Sequence, residues 1–309
     1  MARIELCRLC PRQCGVTRLP GRDEGPGFCK MGADALAARS ALHFWEEPCI
    51  SGTRGSGTIF FAGCSLQCVF CQNYALSHQG KGKRVSIGSL RRMMDALVEQ
   101  GAHNINLVNP THFAAFLAQT LTGYRPGVPV VYNSSGYESP EGLALMEGKV
   151  DVYLPDFKYF DDRWAQRYSH APDYFAWASR ALEQMVAQVG APQMDGNGML
   201  RRGVLVRHLV LPGHSDDSLR LLDWLESHFA GQILLSVMFQ YTPFGEAAQY
   251  PEINRRLTTL EYQRVTRALE GMKLEGYVQE RASASEEYIP DFAFQGVIGA
   301  EQTAGQEET

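Results

Sequence analysis

Short apolar runs alternate with amphipathic segments through the middle of the chain. The first run, Thr58–Ala62, predicts a buried strand because it is short, apolar and rich in residues that favour strands. Between Leu90 and Val98, apolar residues recur at the spacing of one helix face, with Ser86 or Ser89 as the N-cap and Gly101 after the last turn. This stretch therefore predicts a strand followed by a helix.

The same alternation predicts five further strands, each followed by a helix. The strands are 104–108, 128–132, 150–154, 204–211 and 233–238, and the helices are 113–121, 140–146, 161–189 with a break at 171–172, 217–229 and 257–272. Strands separated by helices favour parallel pairing with right-handed crossovers. The pattern indicates an α/β fold, either an incomplete (β/α)6 barrel or an open doubly wound sheet. In both folds ligands bind at the carboxyl ends of the strands.

Composition divides the chain into three regions. Residues 1–50 hold five of the eight cysteines and predict a small metal-binding extension. Residues 51–290 carry the strand–helix pattern and predict the core domain. Residues 291–309 are mostly polar, and we expect them to form a disordered tail.

Charge and hydropathy narrow the class of protein. The 309 residues carry a net charge of −5, which gives no general attraction for nucleic acid or anionic membranes. The chain lacks an apolar run of about 18 residues, and its N-terminus lacks a signal-peptide pattern, so we expect a cytoplasmic protein without a membrane span. Thiols stay reduced in the cytoplasm, and clustered cysteines there indicate metal ligands.

One cysteine group directly follows the first predicted strand. Cys64, Cys68 and Cys71 have the spacing C-x3-C-x2-C. Three thiolates can bind three irons of a cubane cluster and leave the fourth iron open to a ligand. A zinc site completed by His78 is the alternative. The preceding strand and Phe70, next to the last cysteine, favour the cluster.

This cysteine run resembles the signature of the radical S-adenosylmethionine superfamily. The resemblance implies a [4Fe–4S] cluster whose open iron binds S-adenosylmethionine. It also implies reductive cleavage of that cofactor to a 5′-deoxyadenosyl radical, which abstracts a hydrogen atom. A flavodoxin or a ferredoxin is the implied electron donor.

A narrower resemblance covers nearly the whole chain. Residues 53–275 are similar to the activating enzymes of glycyl radical enzymes, of which the pyruvate formate-lyase activase is the best known. The segments Trp45–Gly52, Cys71–Tyr74, Asn109–His112 and Cys7–Cys14 resemble an uncharacterised iron–sulfur branch related to that activase. The resemblance implies a glycyl radical enzyme or another peptide as the partner.

The activase pattern also implies cofactor contacts at the strand ends. Its Gly-Gly-Glu run, which contacts the methionyl amino group, is replaced here by Asn109-Pro110-Thr111-His112, whose side chains still offer polar atoms. Later segments also match, and in that family they help to hold a monovalent cation, although Asn133 stands in place of one acidic ligand. The implied cofactor contacts are Phe70, Asn73, Asn109, Thr111, His112, Asn133, Ser134, Asp156, Lys158 and Arg207.

Structural roles compete with these assignments. Asp156 and Lys158 would otherwise form a surface ion pair of little energetic weight. A buried Arg207 would otherwise need an acidic partner. Three residues after the last strand are better explained by core packing than by cofactor binding: Met238, Gln240 and Tyr241.

The other cysteine group lies near the N-terminus. Its four members have the spacing C-x2-C-x3-C-x14-C and are Cys7, Cys10, Cys14 and Cys29. Four thiolates suit a structural zinc or a second iron–sulfur cluster, and the iron–sulfur signature downstream favours the cluster. Cys49 belongs to neither group and is a core cysteine, a fifth ligand or a redox-active thiol.

Three functions follow from these patterns. The first is an activase that abstracts a glycyl hydrogen from a partner enzyme. The second is a radical enzyme that modifies a small molecule or another peptide, which the changed run Asn109–His112 and the N-terminal cysteines favour. The third is a non-catalytic iron–sulfur electron carrier, for which the long strand–helix region is more structure than is needed.

Overall fold

The computed structural model describes residues 3–279 and 292–300. Its strands are β1 (Leu36–His43), β2 (Ser56–Phe61), β3 (Lys83–Arg84), β4 (Ile105–Val108), β5 (Val130–Ser134), β6 (Val152–Pro155), β7 (Gln193–Met194), β8 (Leu200–Leu209), β9 (Leu234–Met238) and β10 (Gly276–Gln279). Its helices are α1 (Pro48–Ser51), α2 (Tyr74–Ser77), α3 (Ile87–Glu99), α4 (Ala114–Leu121), α5 (Pro140–Met146), α6 (Asp162–Ser169), α7 (Tyr174–Val189), α8 (Ser215–Phe229) and α9 (Thr259–Leu269). Two short 3-10 helices lie at Thr111–Phe113 and Ala247–Gln249.

The strands form one sheet in the order β10-β9-β8-β6-β5-β4-β2-β1-β3, with β7 paired to β8. Strands β2, β4, β5, β6, β8, β9 and β10 are parallel to one another, which confirms an α/β fold with a mostly parallel sheet. Strand β1 is antiparallel to β2 and to β3. Among the described strands the path is linear from β10 to β3.

The six predicted strands are present as β2, β4, β5, β6, β8 and β9, with shifted ends. The predicted helix break is also confirmed, since His170 adopts a left-handed conformation that ends α6 before α7 begins. At α3, the Ser86 hydroxyl accepts the amide hydrogen of Ser89 at 3.0 Å. Ser86 is therefore the N-cap, and Ser89 lies inside the helix.

Strand β1 was not predicted, and it changes how the N-terminal region relates to the core. It lies within the predicted extension 1–50, yet it pairs with β2 along six residue positions. Arg18, which is buried, also ties this region together because its Nε donates to the carbonyl oxygens of Met31 at 3.1 Å and Gly32 at 3.0 Å. The last part of the extension thus belongs to the sheet.

The segment 292–300 packs against β1 on the edge that does not pair with β2. The Ser40 amide donates to the Gln295 carbonyl oxygen at 2.8 Å, and the Phe292 ring contacts Phe60 with 5.5 Å between centroids. This is the described part of the predicted disordered tail 291–309, and residues 301–309 lie outside the described residues. None of the helices in the described ranges has the length and apolar character needed to span a bilayer.

Candidate active site

The loop with Cys64, Cys68 and Cys71 begins at the carboxyl end of β2. Gly63 makes the turn into this loop with φ of +76°, a conformation that favours glycine. A side chain there would also collide with Met31 and approach the Cys29 carbonyl oxygen at 2.9 Å. The glycine therefore lets the N-terminal region lie directly against the start of the loop.

Hydrogen bonds to sulfur surround two of the three thiols. The Cys64 sulfur accepts the amide hydrogens of Leu66 at 3.3 Å and Gln67 at 3.5 Å. The Cys68 sulfur accepts the Ser169 hydroxyl at 3.0 Å. Burial raises the pKa of Cys64 to about 12. Because metals bind thiolates, loading iron here would release protons that the buried thiols otherwise keep.

The three thiols line a cavity of about 130 Å³ at the carboxyl edge of the sheet. A larger cavity of about 460 Å³ adjoins it and opens to solvent. The two cavities share nine residues: Phe60, Cys68, Cys71, Asn73, Val108, Asn133, Asp156, Lys158 and Arg207. A group bound by the thiols would therefore face directly into a space that is lined by both polar and apolar side chains and is large enough for a ligand.

An ion-pair network forms the floor of this space. Arg207 donates to Asp156 Oδ1 at 3.0 Å, to Glu46 Oε2 at 2.9 Å and to Asn133 Oδ1 at 2.6 Å. Lys158 Nζ donates to Asp156 Oδ2 at 2.7 Å. Both oxygens of Asp156 are thus bonded to cationic groups, which disfavours a further monovalent cation on that carboxylate.

The network fixes the charges of its members. Burial alone would raise the pKa of Asp156, but the charges of Lys158 and Arg207 overcome this and lower it, so Asp156 is ionised. Burial raises the pKa of Glu46, and Arg207 opposes that rise. The site therefore contains two fixed cations and carboxylates that balance them.

Most predicted contact residues do line the cavities. Phe70 lines the larger one, while Asn109 and Ser134 line the smaller one. Asn109 adopts a left-handed conformation with φ of +61°, and its side-chain amide donates to the Gly63 carbonyl oxygen. It thus supports the turn before Cys64 as well as lining the cavity.

Thr111 and His112 are directed elsewhere. The Thr111 hydroxyl donates to Glu138 Oε1 at 2.6 Å, and His112 Nε2 lies 2.7 Å from the Ala62 carbonyl oxygen. Both side chains are buried in the protein and line neither cavity. The 3-10 helix that begins at Thr111 turns them inward, which their place after a strand did not predict.

Residues at the end of β9 and directly after it line the larger cavity, whereas the sequence favoured core packing for them. Met238, Gln240 and Tyr241 all line it, and the Tyr241 ring packs edge-on against Phe70 at 5.9 Å. Among the described residues, Gln240 Oε1 and Thr242 Oγ1 are buried side-chain atoms with no hydrogen-bond partner in the protein. Both residues line the larger cavity, so these atoms are suited to a bound ligand.

Glu46 is the site residue that the sequence did not identify. It precedes the first predicted strand, in the connection between β1 and α1, so the strand-end rule does not reach it. Its Oε1 accepts the Asn106 side-chain amide at 3.1 Å, and its other oxygen bonds Arg207. The sequence feature that could have identified Glu46 is its place next to Trp45, in the segment Trp45–Gly52 that resembles a family motif.

The N-terminal cysteines also come together. Cys7, Cys10 and Cys29 are buried, whereas Cys14 is exposed. Burial raises the pKa of Cys10, and the neighbouring Cys29, Cys7 and Cys14 raise it further. A Cβ atom at Gly27 would lie 3.7 Å from the Cys14 sulfur and 3.9 Å from the Cys29 sulfur. The sequence-predicted group of four is therefore one cluster in space.

With the side chains where the structure places them, neither cysteine group surrounds a point at which one metal ion could bind. Within the described ranges, no three His, Cys, Asp or Glu side chains converge closely enough to hold one metal. Three thiols that bind three different irons need no such common point, whereas a mononuclear site at either group needs side-chain adjustment. His78, the proposed zinc ligand, instead bonds Ser77 Oγ at 2.8 Å and stacks on Tyr74.

Cys49 lies apart from both groups. It is 1% exposed in an apolar cluster with Ile50, Val131 and Leu205, on α1. Burial raises its pKa to about 11, and its thiol contacts Tyr277. Its surroundings are those of a core cysteine.

Comparison with known proteins gives a family match and one curated relative. The radical SAM superfamily matches residues 58–225, more than half of the chain and all three strand-end cysteines. The relative is the uncharacterised protein MJ0674 of Methanocaldococcus jannaschii, which is 33% identical over 275 residues. That alignment covers 85% of this chain and 73% of the relative.

Two solved structures are similar to this chain to different degrees. The structure of Streptococcus suis SuiB bound to S-adenosylmethionine has a TM-score of 0.51 at 12% identity, and covers 72% of this chain and 50% of SuiB. A radical SAM methyltransferase from Sphaerobacter thermophilus has a TM-score of 0.46 at 12% identity, with coverage of 80% and 77%. The chain thus spans about half the length of SuiB, and the first of these likenesses concerns the fold alone.

Proposed function

Since this chain belongs to the radical SAM superfamily, we propose that Cys64, Cys68 and Cys71 hold a [4Fe–4S] cluster and that S-adenosylmethionine binds in the adjoining cavity. One observation carries the proposal. The three thiols line a small cavity that shares nine residues with a larger cavity that is open to solvent. This is the arrangement that an open iron and its ligand require.

The chemistry of the site would come from the bound cofactors. When bound, the reduced cluster supplies an electron that cleaves S-adenosylmethionine to a 5′-deoxyadenosyl radical, which abstracts a hydrogen atom from the substrate. The protein residues bind and orient. Lys158 and Arg207 offer cations to the cofactor carboxylate, and their acidic partners hold them in place.

Polar atoms of two further lining residues would contribute to the binding site. Gln240 Oε1 and Thr242 Oγ1 have no protein partner, so they are available to ribose or adenine atoms. Phe70 and Tyr241 form an apolar wall beside them. This wall would keep water from the part of the cavity nearest the cysteines.

The mouth of the cavity supports a peptide as the target. Phe44 and Trp45 line the larger cavity, and they are 49% and 60% exposed. Adjacent exposed aromatic side chains suit a chain segment that enters from solvent. We therefore propose hydrogen abstraction from a peptide, such as the glycyl segment of a partner enzyme, with a flavodoxin or ferredoxin as electron donor.

Anaerobic reconstitution with iron and sulfide tests the proposal. Reduced with dithionite, the protein should convert S-adenosylmethionine to 5′-deoxyadenosine, measured by liquid chromatography. Cys68→Ala should abolish this product, whereas Cys49→Ala, a matched buried cysteine outside both cavities, should retain it. Absence of the product in wild-type protein would contradict the proposed chemistry.

The target needs a separate measurement. Mixing the reconstituted protein with candidate glycyl radical enzymes should give a glycyl radical signal in electron paramagnetic resonance. If only a small molecule yields product, and Phe44→Ala leaves that turnover unchanged, the peptide proposal fails while the radical chemistry stands.

A further inference from the structure

Arg12 joins the N-terminal cysteine group to the loop of Cys64, Cys68 and Cys71. It lies between Cys10 and Cys14 in sequence, yet its guanidinium reaches the other cysteine loop. Its Nε donates to the Ser65 carbonyl oxygen at 2.8 Å, and its Nη2 lies 3.5 Å from the Leu66 carbonyl oxygen. One side chain thus contacts two consecutive peptide groups of the loop.

Those two peptide groups are the ones that hydrogen-bond the Cys64 sulfur. The Ser65 carbonyl shares a peptide unit with the Leu66 amide, which donates to Cys64 Sγ at 3.3 Å. The Leu66 carbonyl shares one with the Gln67 amide, which donates to the same sulfur at 3.5 Å. Arg12 therefore holds the carbonyl ends of two peptides whose amide ends point at a cluster ligand.

The same guanidinium also holds Ser169, the residue that hydrogen-bonds the second cysteine of the loop, Cys68. Arg12 Nη2 donates to the Ser169 carbonyl oxygen at 3.0 Å, and Nη1 donates to the His170 carbonyl oxygen. The Ser169 hydroxyl in turn donates to Cys68 Sγ at 3.0 Å. Two of the three proposed cluster ligands thus receive hydrogen bonds from groups that Arg12 holds.

The N-terminal region fixes the guanidinium in place. Its carbon lies 3.8 Å from the centroid of the Phe28 ring, and the Gln67 side-chain amide donates to the Phe28 carbonyl oxygen at 3.0 Å. Phe28 precedes Cys29, and its amide lies 3.5 Å from the Cys14 sulfur. The contact is therefore anchored within the N-terminal cysteine group.

The contact between Arg12 and these peptides has an electrostatic effect on the hydrogen bonds to the cysteine sulfurs. A positive charge on the carbonyl end of a peptide polarises the peptide and strengthens its amide as a donor. Hydrogen bonds to the sulfurs of an iron–sulfur cluster raise its reduction potential, because they stabilise the more negative reduced form. We infer that Arg12 is a positioning residue that raises the reduction potential of the cluster at Cys64, Cys68 and Cys71. This inference rests on the proposed function.

A redox titration of the reconstituted protein tests the inference. The signal followed is the paramagnetic resonance of the reduced cluster that changes on adding S-adenosylmethionine, which separates it from any cluster at the N-terminal cysteines. Arg12→Ala should shift the midpoint potential to a more negative value. It should also speed loss of this cluster to a chelator several-fold, since the sulfur hydrogen bonds are no longer held.

Arg91→Ala is the matched control. Arg91 also donates to two carbonyl oxygens, those of Thr120 and Thr122 at 2.9 Å, and lies over the Tyr124 ring at 5.2 Å. It lines neither cavity, so its loss should leave the potential unchanged. A shift in both variants would indicate a general effect of lost packing and would overturn the inference.

Arg12→Lys covers the case in which the alanine variant does not fold. Lysine keeps the charge but lacks the planar fork that reaches several carbonyls, so the potential should lie between those of wild type and alanine. An unchanged potential in both Arg12 variants, with the cluster bound, overturns the inference but not the proposed function. Wild-type protein that binds no such cluster would instead contradict the proposed function.

Discussion

The two cysteine groups differ in what surrounds them. The N-terminal group has four members and lines neither of the two cavities described above, whereas the strand-end group has three members that line one cavity together. The N-terminal group is built on a segment held by Arg18, which contacts Cys7 and Met31, and it lies against the start of the strand-end loop at Gly63. The strand-end group follows β2 and meets side chains from β5, from β8 and from the segment directly after β6. Spacing alone predicts metal at both groups, and the structure distinguishes them because the second group lines cavities that can admit a ligand.

The largest expected contrast between the groups is in cleavage of S-adenosylmethionine. Cys64→Ala or Cys71→Ala should abolish it, because each removes a ligand of the reactive cluster. Cys14→Ser should leave measurable cleavage, because this exposed cysteine lies outside the cavities. Rates of 5′-deoxyadenosine formation decide the matter. Equal loss in all three variants would remove the distinction between a catalytic and a supporting group.

Metal content sharpens the comparison next. A Cys7→Ala and Cys10→Ala double variant should lose about four irons if the N-terminal group holds a second cluster. It should keep the irons at Cys64, Cys68 and Cys71. Iron and zinc analysis of the purified protein measures both. Loss of one zinc with unchanged iron would assign a structural zinc instead.

The ion pairs next to the strand-end group are buried, so losing one should lower the free energy of unfolding more than losing an exposed pair does. Arg207→Met should lower the free energy of unfolding by about 3–5 kcal/mol, because it leaves the buried carboxylate of Glu46 without its cationic partner and leaves Asp156 with Lys158 alone. Arg125→Met, which breaks an exposed pair with Asp151 at 3.3 Å, should cost less than about 1 kcal/mol. Denaturant titration of both variants gives the comparison. Similar losses would show that the buried ion pairs of the site contribute no more to the free energy of unfolding than the exposed pair does.

The smallest expected effect concerns pH. Burial raises the pKa of Glu138 to about 7, while the hydroxyls of Thr111 and Tyr132 oppose this. The folded protein then holds a proton that the unfolded chain releases near pH 4.5, so wild-type stability falls as pH rises from about 4.5 to 7. Glu138→Gln should remove up to about 3 kcal/mol of this fall. Thermal unfolding of both proteins at pH 5 and pH 8 measures it, and parallel changes would contradict it.

Much of the fold follows from the hydrophobic pattern, and the exceptions have physical reasons. The parallel strands are short apolar runs between amphipathic helices, a pattern that burial on both faces imposes. Strand β1 contains Leu36-Ala37-Ala38-Arg39-Ser40-Ala41, whose small residues have low strand propensity, so pairing with β2 and β3 makes it a strand. Strand β8 begins earlier than predicted because β7 pairs with its first residues.

The site divides in the same way. Residues directly after a parallel strand, such as Asp156 and Lys158, meet at one edge of the sheet, so chain position suffices to group them. Thr111 and His112 follow a strand too, but a 3-10 turn directs them into the protein. Glu46 and Arg12 reach the site from before the first parallel strand, and no local pattern encodes such long-range contacts.

The position of β2 limits the local fluctuations that can expose this strand to solvent. This strand is hydrogen-bonded to β1 on one side and to β4 on the other, and all six of its residues are buried. Its amides can exchange with solvent only when the sheet itself separates, so they should be among the slowest in the chain. Escape of iron by local fluctuation must therefore begin in the loop between Cys64 and Cys71, and not in the strand from which that loop extends.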